Sequence, residues 1–305
     1  MIRRPQIGFL VDGRLHLLDG PIDLIVEARG ADRQVRLAYE AAIRRFSGLL
    51  DALCGELQEL RRAAQPGATA LQGAVARSMH AAVAPCAADH FITPMAAVAG
   101  AVAEEVLGAM TEVSDLERAY VNNGGDIALH LSDGQYFTVG LIDLPDPPSL
   151  IGKTWITSRD PSRGVATSGR HGRSFSLGIA DAVTVLAATG AAADAAATVI
   201  ANAVDIPGHP KIVRVPANEL QPDSDLGDRH VTRDVGQLSS DEIQVALAAG
   251  VFRARELMVG GLIDGAAFHL KGETRIVALN IIHQLPTQLL SRAEARAVKE
   301  RFIHA

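Results

Sequence analysis

Three short stretches carry the side chains that could do chemistry. In "NNGGD", Asn122, Asn123, Gly124, Gly125 and Asp126 interrupt the strand-like run "YVNNGGDIALHL" with residues that strands avoid. Two readings stand: a tight turn, or a place where a ligand touches backbone, since Gly124 and Gly125 permit positive φ and close approach. In "ATSGRHGRSFSLG", residues 166–178, Thr167, Ser168, Gly169, Arg170, Arg173, Ser174 and Ser176 combine hydroxyls, glycines and guanidinium forks. Such a loop can cradle an anion in a nest of backbone N–H groups; a plain surface loop accounts for it equally. Asp181 follows directly, in "IADA". The third pair is Asp194 with Thr198, a carboxylate and a hydroxyl one helical turn apart on a single face, with Asn202 a turn further on. The pair suits a hard cation such as Mg²⁺, which takes one or two carboxylates and completes its shell with phosphate and water. The competing reading has Thr198 bonding back to its own helix while Asp194 faces solvent.

Other chemistries are set aside by spacing. The loop is not a phosphate-binding Gly-Lys-Ser/Thr turn, and Ser168 lacks the G-x-S-x-G frame of a nucleophile elbow. Ten histidines without an H-x-x-x-H pair, and Cys54 and Cys86 without C-x-x-C partners, argue against zinc. Asp223, Asp225 and Asp228 are dense enough for a Ca²⁺ loop but lack its D-x-D-x-D-G frame. A solvated loop is the better reading.

These residues must be positioned by the rest of a 305-residue chain that is 48% apolar and 21% charged, ordinary globular composition for one domain over 1–305 or two lobes. A net charge of −6 and 4% aromatic residues leave neither a basic surface nor stacking platforms for nucleic acid. Two cysteines imply a reducing compartment, and the N-terminus shows no apolar signal core, so a cytoplasmic protein is expected. The apolar segment 179–204 carries Asp181 and Asp194 and is cut at Thr189-Gly190 into a strand half and a helix half. No membrane partner is therefore expected.

Residues 7–28 read as a hairpin turning at Asp12-Gly13, with a third strand beyond Asp19-Gly20-Pro21. A long helix is expected from about 32 to 64. Its stripe of Ile43, Phe46, Leu50, Leu53, Leu57 and Leu60 serves either the chain's own sheet or a homodimer seam. Thr93 and Pro94 open a second helix rich in small residues, which lets a neighbouring element or a ligand come close. Strands follow at "QYFTVGLIDL", before a break at Pro145–Pro148, and at "KIVRVPA". Capping boxes stand at Ser239/Glu242 and Ser291/Glu294, with a late hairpin, "GLIDGAAFHLKGETRIVAL", between them. Strands and helices come in blocks without βαβ alternation, so the expected class is α+β.

In order, "NNGGDIAL", "ATSG" and "ADAVTVLA…ADAAAT" resemble the ApbE-like superfamily, flavin transferases with an N-x-G-G-[DE] segment, an S-G loop and a D-A-x-x-T motif. "HLLDGPIDLIVEA", "FITPMAAVAGAVAEEVL", "YVNNGGDIAL", "RSFSLGIADAVTVLA" and "PDSDLGDRHVT" are similar to segments of its UPF0280 group and cover most of the chain. The resemblance implies an ApbE-like fold, a flavin or nucleotide near Asn123–Asp126 and a divalent metal at Asp194 and Thr198. It implies a cytoplasmic, Mg²⁺-dependent enzyme acting on a phosphate-bearing heterocyclic cofactor, FAD, FMN or a related nucleotide. The alternative is a non-catalytic flavin- or pterin-binding protein tied to tetrahydromethanopterin and one-carbon metabolism. One departure matters: flavin transferases carry an H-x-I-D-P segment after the S-G loop, and here the corresponding run is "SFSLGIADA". Ser174 and Ser176 stand where histidines are expected and His171 is offset, so flavin transfer to a protein is not expected.

Overall fold

The computed structural model describes residues 5–142, 150–278, 283–284 and 303–304. The break at Pro145–Pro148 and the capping box at Ser291/Glu294 lie outside the described residues. The chain divides into two compact units. The first comprises Met1–Tyr136, Thr157–Ala166 and Ala187–Ala195; the second comprises Phe137–Ile156, Thr167–Leu186 and Ala196–Ala305.

The first unit opens with β1 (Gln6–Phe9), β2 (Leu15–Asp19) and β3 (Ile22–Arg29), each antiparallel to the next. β2 and β3 alternate buried with half-exposed residues, so Leu15, Leu17, Leu24 and Val26 line one face. The two-residue turn lies at Gly20-Pro21, where Asp19 pairs with Ile22. The β1–β2 loop is longer than Asp12-Gly13 implies, because Leu10 N–H closes it on the Arg14 carbonyl at 2.8 Å.

The long helix expected over 32–64 is broken into α1 (Asp32–Phe46), α2 (Leu49–Gly55) and α3 (Leu57–Leu60). Gly48, at φ 79°, turns the chain between the first two. Phe46, Leu53 and Leu60 of the stripe are buried, but Leu49 takes the place at the core that the unbroken spacing gave to Leu50. The stripe therefore serves the unit's own core. α4 (Ala74–Val83) follows, then a single tight helical turn at Pro94–Ala97 leading into α5 (Val98–Thr111). Thr93 precedes that turn as expected, without a side-chain capping bond.

α5 packs on β4 (Arg118–Asn123) and β5 (Asp126–Leu131), and against α1 and α4. β4 pairs with β3 on one side and β5 on the other. Past β6 (Tyr136–Ile142) and β7 (Leu150–Thr157), β8 (Gly164–Ser168) pairs with β5 through Ile127–Val165 and Ala128–Gly164. β9 (Ala182–Ala187) and α6 (Gly190–Ala203) fall on either side of Thr189-Gly190, where the sequence divides. α6 gives its residues up to Ala195 to the first unit.

In the second unit, β12 (Gly265–Leu270) lies between β9 and β13 (Glu273–Ala278), antiparallel to both. All six β12 residues are buried, which fits a central strand covered on both faces. α8 (Ser240–Val259) packs against β12 and β13 and begins with the expected capping box: Ser239 accepts from the Glu242 N–H, and the Glu242 carboxylate accepts from the Ser239 N–H. β10 (Ile212–Pro216) pairs with β11 (His230–Val235); between them lie α7 (Ala217–Leu220) and the turns that carry Asp223, Asp225 and Asp228, a loop as expected. The blocks of strand and helix make the fold α+β.

Candidate functional site

"NNGGD" is a two-residue hairpin turn. Asn123 of β4 pairs with Asp126 of β5 across Gly124 (φ 66°) and Gly125 (φ 114°), which only glycine adopts easily in succession. Asn122 shapes the turn, its side-chain oxygen accepting from the Gly125 N–H at 2.8 Å. Strand alternation puts Asn123 on the opposite face, where it is buried. Its amide donates to the Ala99 carbonyl at 3.2 Å and accepts from the Asp23 N–H at 3.4 Å. The asparagine side chains thus find partners within the protein. One side chain builds the turn; the other holds the start of α5.

That start is held from a second side. The Gly100 N–H donates to Oδ2 of Asp194 at 3.0 Å, across 94 residues of sequence. Burial raises the Asp194 pKa to about 7, with the N–H groups of Gly100 and then Ala99 pulling against it. Part of its surface stays open, so the carboxylate lies at the edge of the core rather than sealed within it. Asp194 therefore does not sit on a solvated face. Among the described residues, no cationic side chain pairs with it, and the half-exposed Thr198 forms no bond to its own helix. A carboxylate taken from water without a counter-charge is costly, so the donors present, one carboxylate and one hydroxyl a turn later, are of the kind a hard cation takes. Among the described residues, no three His, Cys, Asp or Glu side chains gather as a metal cluster, Asp223, Asp225 and Asp228 included.

The bond is returned in kind. Glu104 of α5 accepts from the Ala191 N–H in the first turn of α6 at 3.4 Å and bonds the Thr189 side chain, while burial raises its pKa. Between the two carboxylates the helix starts meet at Gly100 and Gly190, where a Cβ on Gly100 would overlap the Gly190 carbonyl. What comes close to the small residues of α5 is thus a neighbouring element. Sequence reasoning passed over Glu104, although "GAVAE" and "GAAAD" put an acid four residues after a glycine in both helices.

The residues of the 166–178 loop divide by task. Asp181, buried, is its hub: Oδ1 accepts from Arg170 at 2.6 and 2.8 Å and lies 3.3 Å from Nε2 of His171. Its Oδ2 accepts from the Lys271 N–H at 2.6 Å. Lys271 sits at φ 49°, unusual for a residue with a side chain, and its ammonium reaches the Val235 carbonyl at 2.8 Å. The Arg170 fork is thus turned on Asp181, which corrects its reading as an open phosphate fork. Thr167 meets Thr184 at 2.8 Å, and Gly169 lies so close to the Asp181 carbonyl that a Cβ would overlap it. Ser176 is buried and bonds Gly178 and Asn202, and Asn202 also accepts from the Leu177 N–H at 2.9 Å. Arg173, Ser174 and His171 are exposed.

Comparison with known proteins places this geometry. The family model described as AbpE bacteria matches residues 7–276. A UPF0280 protein of Methanothrix thermoacetophila is 37% identical over 125 residues, 37% of this chain and 46% of that protein. One of Methanopyrus kandleri is 39% identical over 134 residues, 43% of this chain and 51% of that protein. One of Methanosarcina acetivorans is 40% identical over 116 residues, 38% and 44% of the two chains. The shared stretch spans about half the length of these curated relatives. Among solved structures, the apo form of the Pseudomonas stutzeri flavinyl transferase ApbE aligns over 91% of this chain and 95% of its own, at a TM-score of 0.42 and 9% identity. The family match covers nearly the whole described chain, and the chain belongs to the AbpE bacteria family.

Proposed function

We propose that the chain is a cytoplasmic, flavin-transferase-like protein that binds a phosphate-bearing heterocyclic cofactor, FAD, FMN or a related nucleotide, together with Mg²⁺. The observation that carries this reading is Asp194: a carboxylate at the edge of the core, with helix-start N–H groups behind it and no cationic partner among the described residues. Asp194 and Thr198 would hold the metal, which when bound supplies the positive charge that a ligand phosphate requires. Asn123 keeps the Ala99–Gly100 backbone in place, so that the amides behind Asp194 stay aimed.

Transfer of flavin to a protein acceptor is not part of the proposal. Ser174 and Ser176 carry no imidazole, Ser176 is packed inward, and the nearby His171 lies against Asp181. A holding role for a flavin or pterin cofactor is the second reading, favoured by the same observation. Two free cysteines, one of them exposed, support a reducing compartment. Among the described residues no helix is long and apolar enough to cross a membrane.

Thermal shift with FAD, FMN, ADP and pterin phosphates, each with Mg²⁺ and with EDTA, tests the reading. At least one ligand is expected to raise Tm more with Mg²⁺, and Asp194→Asn to abolish the difference. If no ligand stabilises the protein, or if Asp194→Asn leaves the Mg²⁺ effect intact, the reading is wrong.

A further inference from the structure

The contacts between α5 and α6 are reciprocal. Gly100 and Gly190 stand where the helix starts meet, each four residues before an acid, Glu104 in one helix and Asp194 in the other. Asp194 accepts from the first turn of α5 and Glu104 from the first turn of α6. The first N–H groups of a helix have no partner within it. The residue before α5 is Ala97, which has no capping group; before α6, Thr189 accepts from the Ala192 N–H at 3.2 Å, which leaves the Ala191 N–H to Glu104. Each helix start takes one carboxylate partner from the other helix.

From this geometry we propose that Glu104 is a positioning residue for Asp194. By gripping the Ala191 N–H and the Thr189 hydroxyl, Glu104 fixes where α6 begins, and α6 carries Asp194 one turn later. The missing Cβ atoms at Gly100 and Gly190 let the helices approach closely enough for both carboxylates to reach. Loss of Glu104 frees the first turn of α6, lets Asp194 move off the Gly100 N–H, and weakens any cation held by Asp194. This deepens the metal reading above and rests on it only for that last consequence.

The test compares wild type, Glu104→Ala, Glu104→Gln and Asp194→Asn by two measurements. Amide hydrogen exchange, read on peptides spanning 97–104 and 189–195 without metal, reports the grip itself. Calorimetric titration with Mg²⁺ alone reports its consequence. Glu104→Ala is expected to speed exchange in both peptides about tenfold and to weaken Mg²⁺ binding at least tenfold. Glu104→Gln keeps an acceptor for the Ala191 N–H and is expected to stay within about threefold of wild type in both measurements. A merely structural role would speed exchange at 189–195 and leave 97–104 unchanged, and that result overturns the proposal. So does Mg²⁺ affinity that Glu104→Ala does not alter. If Glu104→Ala does not fold, the Glu104→Gln exchange pattern decides alone, and faster exchange confined to 189–195 overturns the proposal. Wild type that binds no Mg²⁺, with both peptides loosened by Glu104→Ala, overturns the metal reading and supports the positioning role.

Discussion

Replacing Asp194 by Asn should make the metal-free protein more stable at alkaline pH, the reverse of what removing a well-placed charge usually does. The sign follows from the direction of the pKa change. Burial lifts the Asp194 pKa from 3.8 to about 7, so the folded protein holds the proton more tightly than the unfolded chain does. Stability contributed by the protonated form is complete below the unfolded value and is lost as pH rises through about 7. At about 1.4 kcal/mol per pH unit the full loss has a ceiling of about 4 kcal/mol, of which somewhat more than half develops between pH 5 and 8. Asp194 is partly open to solvent, so about half of this is expected. At roughly 2 °C per kcal/mol, wild type in EDTA should lose a few degrees of Tm relative to Asp194→Asn between pH 5 and 8. Asn keeps a side-chain oxygen for the Gly100 N–H, so the cap survives the substitution. Saturating Mg²⁺ should return the lost stability to wild type alone, about 2.7 kcal/mol at a hundredfold excess over Kd. Differential scanning calorimetry of both proteins in EDTA at pH 5, 6, 7 and 8 is the assay. Parallel Tm curves across that range would refute the reasoning, because they would mean that Asp194 titrates alike in the folded and unfolded chains.

Gly100→Ala should destabilise by about 1–3 kcal/mol or more, because its Cβ meets the Gly190 backbone and not a flexible side chain; urea denaturation measures it, with Gly108→Ala as the control in open space. Asp181→Asn should cost about 3 kcal/mol, since it strips the counter-charge from Arg170, whose side chain is only 14% exposed; loss of under 1 kcal/mol in the same assay would show Arg170 finding another partner. The Glu242 carboxylate is held down to about 2 by the Ser239 N–H and His209, so its contribution is present above the ordinary Glu pKa and lost as pH falls through about 2. Ser239→Ala should lower stability by about 1 kcal/mol at neutral pH, read by thermal melts. Incubation with FAD and Mg²⁺ should leave a threonine-bearing acceptor peptide without covalent flavin, which mass spectrometry checks.

Much of the architecture could be read from neighbouring residues. The alternation in β2 and β3, the division at Thr189-Gly190 and the Ser239/Glu242 capping box are local signals, and the structure carries all three. The break in the long helix was visible as Gly48 but outvoted by an apolar stripe that ran straight through it. The site was legible as residue types and not as partners. Asn122 and Asn123 adjoin in sequence yet serve opposite faces, and Arg170 belongs to Asp181 eleven residues on. The starts of α4 and α5 were least legible, because their partners are distant: Glu56 serves the Gly73 N–H before α4 and Asp194 serves α5. Capping rules look three residues ahead; that rule finds Thr189 on the Ala192 N–H at α6, but at α4 and α5 the answer lies 17 and 94 residues away.

The crossed carboxylates also bear on the order in which the chain can fold. Joining Gly100 to Asp194 closes a loop whose ends are 94 residues apart, an entropic cost that must be met before the contact returns anything. Until then the Gly100 and Ala191 N–H groups lack the carboxylates that accept from them, and a helix of 14 residues such as α5 or α6 is marginal alone. In a chain emerging from the ribosome, the Gly100 N–H waits for α6 to be made before Asp194 can accept from it.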